Sequence, residues 1–427
     1  MPDMSTPRRD RADACPGALA THQAADGDLA RVRLPAGRIS ARQLRTLGTC
    51  AAEHGDGVLH LTSRANVQIR GLRPGAQRPL VDALADVGLF PSPTHERVRN
   101  YLASPASGYF GGRFDVRELI AALDSAVCSR DELANLPGRF LFAIDDGRGD
   151  VAALTADVCW QALESTDTGR ADGRLLVGGV DTGLLISSVD AVEALVCCAA
   201  EFLRQRVDGW RVWELGDATT RLRDAVLHEF DDVWRADPRD ASTGANAARP
   251  AFDGTSVGVF EQHDGRYSCV AAPPFGELSV ARIDALTDSA ASPMESDALV
   301  MTPWRTVVLP NIPRDTVRGV ARRLADVGFG TDPTAGWLRV SACVGKPGCA
   351  KAHADVRARA AEVMPSLSAG DRMHFAGCER RCGAPGEQHI DVLATERGYQ
   401  VDGVAVPAES LTESLSLSGT EDAQREG

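Results

Sequence analysis

Lysine is almost missing from this chain of 427 residues. Lys346 and Lys351 are its two lysines, and arginine supplies the rest of the 46 basic residues. A guanidinium group binds a carboxylate better than an ammonium group does, because its planar fork matches the two oxygens. The bias therefore suits a local pocket for a polycarboxylate ligand, and a composition bias of the source explains it equally well.

Long apolar runs are missing as well, and the charge balance is acidic. No stretch approaches the roughly 20 apolar residues that cross a bilayer, and residues 1–26 carry no apolar segment like that of a secretory signal. The formal net charge of −13 argues against a general nucleic-acid binder, since phosphate contacts need a basic surface. We expect a cytoplasmic protein that binds neither membranes nor nucleic acid, with a disordered leader over residues 1–26.

The chain has 11 cysteines, an odd number, in a sequence without a secretory signal. This pattern argues against a disulfide framework. Seven of the cysteines have no ligand spacing, and most of these stand beside Ala, Val or Leu, which predicts small buried hydrophobic side chains. The seven are Cys15, Cys50, Cys128, Cys159, Cys197, Cys198 and Cys269.

The sequence repeats itself at an offset of 240 residues. Residues 59–99 align with residues 299–339 without a gap, and 12 of the 41 positions are identical. The longest identical block is LADVG, at residues 84–88 and 324–328. We infer that the chain consists of two related halves.

Both halves show the same order of predicted elements, which is strand, helix, strand and helix. In the first half these elements cover residues 29–34, 40–53, 58–70 and 78–87. In the second half they cover residues 268–272, 279–289, 298–309 and 314–327. Gly88 and Gly328 stand where a C-cap glycine follows a helix. The pattern predicts an α+β fold in which the two units complete one mixed sheet.

The four remaining cysteines form two spaced pairs, C-x5-C and C-x3-C, with 28 residues between them. They are Cys343, Cys349, Cys378 and Cys382. Glycines beside them let the backbone approach inorganic sulfide, as a [4Fe–4S] cluster requires. Structural zinc sites use C-x2–4-C pairs, so zinc fits the wide first pair poorly, and unrelated thiols are the third interpretation. At the 240-residue offset Ala103 and Tyr109 replace the first pair, so we predict no cluster in the first half.

Over residues 27–403 these features resemble the sulfite and nitrite reductase family, in which the same cysteine pattern holds a [4Fe–4S] cluster beside sirohaem. The resemblance implies a pseudo-twofold α+β fold with two ferredoxin-like half-domains and two α/β domains of the iron–sulfur and sirohaem type. The implied half-domains are residues 27–90 and 251–330, and the implied α/β domains are residues 91–235, without a cluster, and residues 331–406, with the [4Fe–4S] cluster. A linker at residues 236–250 and a disordered tail at residues 407–427 complete the expected organisation.

The family's T-x-R-Q-x-x-Q strand is matched here by TSRANVQ at residues 62–68. The resemblance implies that Arg64 points toward the tetrapyrrole and its anionic ligand. In a single strand, the two-residue period would place one set of long polar side chains on a common face, where they could bind a planar polycarboxylate. These are Arg64, Asn66, Gln68 and Arg70. A solvated strand face is the alternative interpretation.

Two further arginines follow from the resemblance. Arg99 matches the arginine of the family's R-N-V segment. The family also has an L-P-R-K-F-K segment with two lysines. In this chain Arg139 keeps one cation of that segment, and Leu141 stands in place of its second lysine. The lysine pair suits proton delivery to a bound oxyanion, and Ala65 also replaces the glutamine that follows the first arginine. Both departures speak against reduction of sulfite or nitrite.

The short length, the motif TSRANxQxRG and the missing lysine look more like the precorrin-3B synthases, the cobalamin-pathway branch of the same superfamily. This resemblance implies precorrin-3A as substrate and an O2-dependent hydroxylation at C20, with a ring A acetate closing to a γ-lactone. It also implies an electron donor, either an NAD(P)H-linked reductase or a ferredoxin, because the cluster transfers single electrons. A reductase that binds sirohaem, and a non-enzymatic carrier of a tetrapyrrole or a cluster, are the alternatives.

The resemblance also suggests a mononuclear non-haem iron, whose common ligands are two histidines and one carboxylate. No pattern among the nine histidines singles out such a ligand set, so the ligands of this iron and the catalytic residues stay unassigned. His353 and His374 each stand four residues from a cluster cysteine, and we predict packed side chains rather than ligands or proton donors. Residues 108–112, GYFGG, are either a mobile loop over the pocket or an ordinary turn.

Overall fold

A computed structural model describes most of the chain. It covers residues 13, 15–165, 170–230, 234–235, 256–290, 299–366, 372–385 and 388–415. Within these ranges no helix has the length and apolar character needed to cross a membrane. The predicted linker at residues 236–250 lies outside the described residues, as do half of the predicted leader (residues 1–12 and 14) and residues 416–427 of the predicted tail.

The first half follows the predicted order with one correction. Its elements are β1 (His22–Ala24), β2 (Gly27–Val32), β3 (Arg38–Ile39), α1 (Ala41–His54), β4 (Leu59–Leu61), β5 (Val67–Leu72) and α2 (Gln77–Asp86). The prediction of one strand over residues 58–70 is wrong, because β4 and β5 form an antiparallel hairpin. Thr62 closes its turn, since the Thr62 carbonyl accepts from the Ala65 amide and Ala65 adopts a φ of +54°.

The first sheet domain, residues 91–235, comes next along the chain. Its elements are β6 (Tyr101–Ala103), α3 (Arg117–Cys128), β7 (Phe142–Asp145), β8 (Val158–Ser165), β9 (Ala171–Val177), β10 (Val180–Ser187), α4 (Ala191–Gln205), α5 (Ala218–Glu229) and β11 (Trp234–Arg235). The strands lie in the order β11-β10-β9-β8-β7-β6. Strands β6, β7 and β8 are parallel, so their carboxyl ends meet at one edge of the sheet.

The second half repeats the first. Its elements are β12 (Gly258–Glu261), β13 (Tyr267–Ala271), β14 (Glu277–Leu278), α6 (Val280–Ser289), β15 (Leu299–Met301), β16 (Val307–Ile312) and α7 (Val317–Asp326). The predicted strand at residues 298–309 is again a hairpin, and Arg305, at φ +62°, holds the place that Ala65 holds in the first turn. Gly88 and Gly328 follow α2 and α7 at φ +73° and +89°, which confirms the predicted helix ends.

The second sheet domain, residues 331–406, carries the four spaced cysteines. Its elements are β17 (Val340–Ala342), α8 (Val356–Val363), β18 (Met373–Ala376), β19 (Ile390–Thr395), β20 (Gly398–Val401) and β21 (Val404–Val406). The strands lie in chain order, and β17, β18 and β19 are parallel.

The two halves exchange short strands, which gives the molecule its pseudo-twofold arrangement. Strand β14 of the second half pairs with β4, and β3 of the first half pairs with β15. The expected single mixed sheet is therefore wrong, since each half builds its own five-stranded sheet with one strand borrowed from the other. Both sheets bury one face in a common core. Within it α1 and α6 pack so closely that a Cβ at Gly48 would stand 2.8 Å from Ile283.

Two predicted disordered segments are partly ordered. Strand β1 lies within the predicted leader and pairs with β2, and the Glu96 carboxylate accepts hydrogen bonds from the amides of Ala18 and Leu19. In the predicted tail, Leu411 and Leu415 are buried in the core of the second sheet domain. Pairing and apolar burial hold these segments in place, although their composition alone suggested otherwise.

Candidate functional site

One face of the first half's sheet is polar. The inward side chains of β2 and β5 lie in the common core, namely Ala30, Val32, Val67 and Ile69. Because side chains alternate along a strand, the opposite face carries Arg31, Gln68 and Arg70, and Arg31 pairs in register with Gln68. His60 of β4 pairs with Gln68 and joins the same face. We call this surface the polar face.

Arg64 extends from the hairpin turn, so the predicted common strand face of Arg64, Asn66, Gln68 and Arg70 is wrong for its first member. Its guanidinium lies near Arg31 and Arg33, close enough for these charges to affect one another. Burial, together with the cation of Arg211, lowers the pKa of Arg64 to about 10. Arg64 therefore stays charged at neutral pH in a partly desolvated position.

Arg33, which follows β2, is the most deeply buried of these cations, at 3% exposure. Burial lowers its pKa to about 10. Its Nη1 atom is buried without a hydrogen-bond partner, while Nη2 contacts the Cys15 sulfur at 3.4 Å. A buried cation with an unused donor is costly unless an anion pairs with it. The site is therefore suited to an acidic ligand.

The nearby acids are too few to balance these arginines. Asp157 faces Arg211 at 2.8 Å, and the Asp13 carboxylate stands 4.0 Å from Arg139. Arg31, Arg33 and Arg64 have no such carboxylate partner among the ion pairs of the described residues. The arrangement can hold a ligand with several carboxylates, because guanidinium groups bind each one through paired hydrogen bonds.

The other predicted binding residues of the first hairpin have structural partners. The Asn66 side chain accepts from the Leu34 amide and donates to the Asn100 side chain, which joins the turn to the first sheet domain. Gln68 accepts from Arg31 in the amide orientation that satisfies both groups. Arg70 donates to both oxygens of Asp26 and to the Gly348 carbonyl at 2.8 Å, so it joins the polar face to the first cysteine loop.

The structure does not bring Arg99 to this group. Asn100 points toward Asn66, so the preceding side chain points the opposite way, and Arg99 binds both oxygens of Asp124 on α3 at 2.7 Å. Arg139 is more than half exposed and lies over the Trp210 ring, at 4.6 Å from its centroid. Arg139 therefore stands at the rim of the cationic group, and Arg99 stands outside it.

Sequence reasoning missed Arg31, Arg33 and Arg211. The alternation Arg-Val-Arg at residues 31–33, inside a predicted strand, was the available signal for the first two. It also missed Cys15, which was predicted to be an ordinary buried hydrophobic residue. The Cys15 sulfur instead contacts Arg31 and Arg33, each at 3.4 Å.

The four spaced cysteines converge at the carboxyl ends of β17 and β18. All four thiols are free. Burial raises the pKa of Cys382, and the neighbouring thiols of Cys343, Cys378 and Cys349 raise it further. The Gly377 amide donates to the Cys343 sulfur at 3.1 Å. A Cβ at Gly377 would stand 3.4 Å from that sulfur, so glycine lets the backbone pass close to it.

A single zinc ion and a [4Fe–4S] cluster are the two metal groups that four thiols can hold. Tetrahedral zinc with Zn–S bonds of about 2.3 Å brings its sulfurs to roughly 3.8 Å from one another. Among the described residues, three aspartates are the group whose ligand atoms lie within 4.8 Å of one another, and no three cysteine sulfurs meet that limit. Four free thiols are the number that a cubane requires, one for each of its irons.

The two histidines beside the cysteines differ. His353 is exposed, whereas His374 of β18 is completely buried. Burial, with the nearby His389, lowers the pKa of His374 to about 4, so its ring is neutral at neutral pH. Its Nδ1 atom lies 2.9 Å from the Ser341 hydroxyl, and its Nε2 atom is buried without a partner.

The three aspartates follow β7 in the first sheet domain and serve their own loop. Asp145 accepts hydrogen bonds from four backbone amides, those of Gly147, Gly149, Val151 and Ala152. Asp146 binds Arg148 through both oxygens, and Asp150 accepts from the Ser104 hydroxyl at 2.6 Å. Burial and the neighbouring Asp145 raise the pKa of Asp150 to about 8. These bonds already occupy most of the oxygens that a cation would need.

Comparison with known proteins agrees with this geometry. The family model described as the nitrite/sulfite reductase ferredoxin-like half domain matches residues 22–87 and 260–327, one copy in each half. The structure of the Mycobacterium tuberculosis NirA protein superposes with a TM-score of 0.71 at 22% identity, over 88% of this chain and 74% of that one. Residues 22–87 and 260–327 are therefore two half-domains of the nitrite/sulfite reductase ferredoxin-like type.

Curated relatives of more than one activity are similar to the chain. A precorrin-3B synthase from Sinorhizobium sp. is 24% identical over 93% of this chain and 84% of its own length. A ferredoxin–nitrite reductase from Synechococcus elongatus is 24% identical over 88% and 79%. A ferredoxin-dependent sulfite reductase from Mycolicibacterium paratuberculosis is 26% identical over 79% of this chain and 62% of its own length. All three are oxidoreductases.

Proposed function

We propose that this chain is an O2-dependent monooxygenase that converts precorrin-3A to precorrin-3B. The reaction hydroxylates C20 and closes a ring A acetate to a γ-lactone. One atom of O2 enters the product and the other leaves as water, which takes two electrons and two protons from a donor. An NAD(P)H-linked reductase or a ferredoxin is the proposed donor. The similarity to a precorrin-3B synthase over 93% of the chain supports this choice.

The observation that carries the proposal is the excess of buried and half-buried cations on and beside the polar face. Arg31, Arg33 and Arg64 are desolvated together, and an arginine keeps its charge even at the lowered pKa. A precorrin bears many carboxylates, so it neutralises such a group of arginines, as the carboxylates of sirohaem would under the reductase alternative. The first sheet domain covers one end of this face, through Asn66, and the cysteine loop covers the other, through Arg70.

The four cysteines are the proposed ligands of a [4Fe–4S] cluster. Cys343, Cys349, Cys378 and Cys382 provide one thiolate for each iron, and the glycine-containing loops admit the inorganic sulfides. When bound, the cluster supplies single electrons to the site. Arg70 donates to the carbonyl of Gly348, which lies between the first two cysteines, and this hydrogen bond fixes the first cysteine loop against the polar face.

Leu141 separates this proposal from the reductase alternative. Family resemblance places a lysine there, and the structure buries Leu141 among Ala65, Leu102 and Ala143. The chain's two lysines lie in or directly after the first cysteine loop instead. No ammonium group therefore replaces the lost proton donor at residue 141.

One observation favours the second candidate, a sirohaem-dependent sulfite or nitrite reductase. Cys382 is the exposed member of the four cysteines, and the last cysteine is the one that would bridge a cluster to sirohaem iron. The nitrite and sulfite reductase relatives are about as similar in sequence as the precorrin-3B synthase.

The optical spectrum of anaerobically purified protein, with an acid extraction for tetrapyrroles, distinguishes the two candidates. We expect a broad iron–sulfur absorption without haem bands, followed by O2-dependent turnover of added precorrin-3A. Sharp Soret and visible bands with extractable sirohaem would overturn the proposal in favour of the reductase. A spectrum of the expected kind with no turnover of precorrin-3A under O2, given a reducing donor, would overturn it as well.

A further inference from the structure

Arg357, in the first turn of α8, holds the beginning of the first cysteine loop. Its Nε atom donates to the carbonyl of Cys343 at 3.2 Å, and its Nη1 atom donates to the carboxylate of Glu277 on β14. The exposed fractions of the Arg357 and Glu277 side chains are 18% and 26%. The two charges therefore meet in a partly desolvated position, where they interact more strongly than they would in water.

His60 of the polar face fixes this ion pair from the other side. Because β14 pairs with β4, Glu277 lies opposite His60 in the register of the first sheet. The Nδ1 atom of His60 lies 3.4 Å from Arg357 Nη1 and 3.6 Å from the Glu277 carboxylate. Its Nε2 atom lies 2.8 Å from the Asp56 carboxylate, which orients the ring. The pair therefore stands between the polar face and the cysteine loop.

A second ion-paired arginine holds the other end of the same loop. Arg70 donates to the Gly348 carbonyl at 2.8 Å and to both oxygens of Asp26. Of these two arginines, Arg357 is the one that bonds the backbone of a proposed cluster ligand, namely Cys343. Its charge is therefore the one placed to act on the thiolate that Cys343 would offer.

The half without spaced cysteines has different charges at this place. Arg117 in the first turn of α3 is the equivalent of Arg357, at the 240-residue offset of the repeat. Strand β3, the equivalent of β14, carries Arg38 where β14 carries Glu277. Arg117 instead binds Asp115 of its own loop at 2.7 Å. Both halves have the arginine, but the carboxylate on the exchanged strand stands on the side of the four thiols.

We propose that the ion pair of Arg357 and Glu277 sets the reduction potential of the cluster that the four cysteines would hold. Reduction adds one negative charge to a cluster, and its potential responds to nearby charge and hydrogen bonds. Arg357 stabilises the reduced state, because its cation lies beside Cys343. Glu277 limits this stabilisation, because its anion offsets part of the Arg357 charge. The inference rests on the [4Fe–4S] cluster of the proposed function, and it does not depend on precorrin-3A as substrate.

The direction of the change distinguishes this electrostatic role from a structural one. If the pair only held the loop in place, loss of either partner would loosen the same loop and change the potential in the same direction. If its charges act on the cluster, loss of Arg357 and loss of Glu277 change the potential in opposite directions. Arg305 lies close enough to Arg357 for their charges to affect one another, and it stays unaltered in every variant of the test.

A redox titration of anaerobic full-length protein with dithionite, followed by the EPR signal of the reduced cluster, measures the midpoint potential. Arg357→Gln should disfavour reduction by about ten-fold in its equilibrium constant, a shift of about 59 mV to more negative potential. Glu277→Gln should shift the potential the opposite way, since the Arg357 charge is then uncompensated. Arg357→Lys keeps the cation, so its potential should lie closer to that of the unaltered protein than the potential of Arg357→Gln does.

Arg359→Gln is the matched control, because Arg359 lies two residues further along α8 and pairs with Glu362 of the same helix at 2.9 Å. It should have the midpoint potential of the unaltered protein. Acid-labile sulfide is measured in every variant, so that a change of potential is compared at equal cluster content.

Shifts of Arg357→Gln and Glu277→Gln in the same direction, or no shift in either, would overturn the inference. If Arg357→Gln loses its sulfide, Glu277→Gln decides the question, and a potential that does not rise in that variant would overturn the inference. Unaltered protein without acid-labile sulfide would overturn the cluster assignment and this inference together. Opposite shifts in a protein that does not turn over precorrin-3A would support the inference and count against the monooxygenase alone.

Discussion

The two sheet domains use one frame for two kinds of chemistry. Each begins with three parallel strands, and the residue directly after the first strand is Ser104 in one domain and Cys343 in the other. In the first domain the following loops fold around their own carboxylates, with Ser104 bound to Asp150. In the second the equivalent loops present four thiols. The strands determine where the loops meet, and the residues of the loops decide whether the loops bind a ligand.

The two hairpin turns differ in the same way. Residues 62–66 and 302–306 make the same backbone hydrogen bonds, but Arg64 of the first turn is replaced by Trp304 in the second. Trp304 lines a cavity of about 460 Å³ together with the aromatic rings of Phe275 and Trp337. The duplication therefore yields one turn directed at a cationic surface and one directed at an aromatic cavity.

Breaking the thiol set should produce the largest effect. Cys378→Ser replaces a thiolate with a much weaker ligand, so we expect loss of the visible iron–sulfur absorption and of acid-labile sulfide. Cys197→Ser on α4 is the control, because its thiol lies far along the chain in the first sheet domain. Optical spectra of the two anaerobic variants provide the check. A Cys378→Ser spectrum equal to that of the control would remove Cys378 from the ligand set.

The second-largest effect should distinguish Arg64 from Arg99, although the family resemblance gives both arginines a role in binding. Arg64→Ala should raise the Kd for precorrin-3A about 10- to 100-fold, the value of one charge-assisted contact, and leave the cluster spectrum unchanged. Arg99→Ala should leave the Kd unchanged and lower the Tm, since Asp124 loses its buried partner. Anaerobic titration measures both affinities. Equal losses of affinity in the two variants would contradict the placement of Arg99 outside the site.

The acidic loop of the first sheet domain should make stability depend on pH. The pKa of Asp150 is raised in the folded protein to about 8, so between pH 4 and 8 the folded state keeps a proton that the unfolded state has lost. Stability should fall as the pH rises through this window, by up to about 1.4 kcal/mol per pH unit. Asp150→Asn should remove this contribution. Thermal unfolding of both proteins at pH 5 and pH 8 provides the check. The difference in Tm between the variant and the unaltered protein should be larger at pH 8 than at pH 5. Equal Tm differences at the two pH values would refute the role of Asp150.

The helix caps of the two halves offer the smallest and most closely matched comparison. Ser40 and Gln43 form a capping box at the start of α1, whereas Ser279 precedes α6 without a side-chain capping bond. Ser40→Ala should therefore lower the free energy of unfolding by about 1 kcal/mol, and Ser279→Ala by less. Chemical denaturation of both variants measures the difference. The reverse order would show that the two halves are not capped as described.

Local signals were enough for much of the fold. The 240-residue repeat predicted two equivalent halves, and the glycine ends of α2 and α7 followed from C-caps that act within a few residues. The cysteine spacing likewise predicted which four thiols converge. The hairpins were missed because their turns lie within uninterrupted β-like runs, where the positive φ of Ala65 and Arg305 leaves no mark in the sequence.

The sequence by itself therefore determined the repeat, the order of elements and the cysteine set, since these depend on short-range spacing. Tertiary structure alone decided that β3 and β14 change places, that Arg33 joins the site while Arg99 turns to Asp124, and that Glu277 meets Arg357. These outcomes depend on contacts between residues distant along the chain. Which side of a strand faces a ligand is settled only when both of its neighbours are in place.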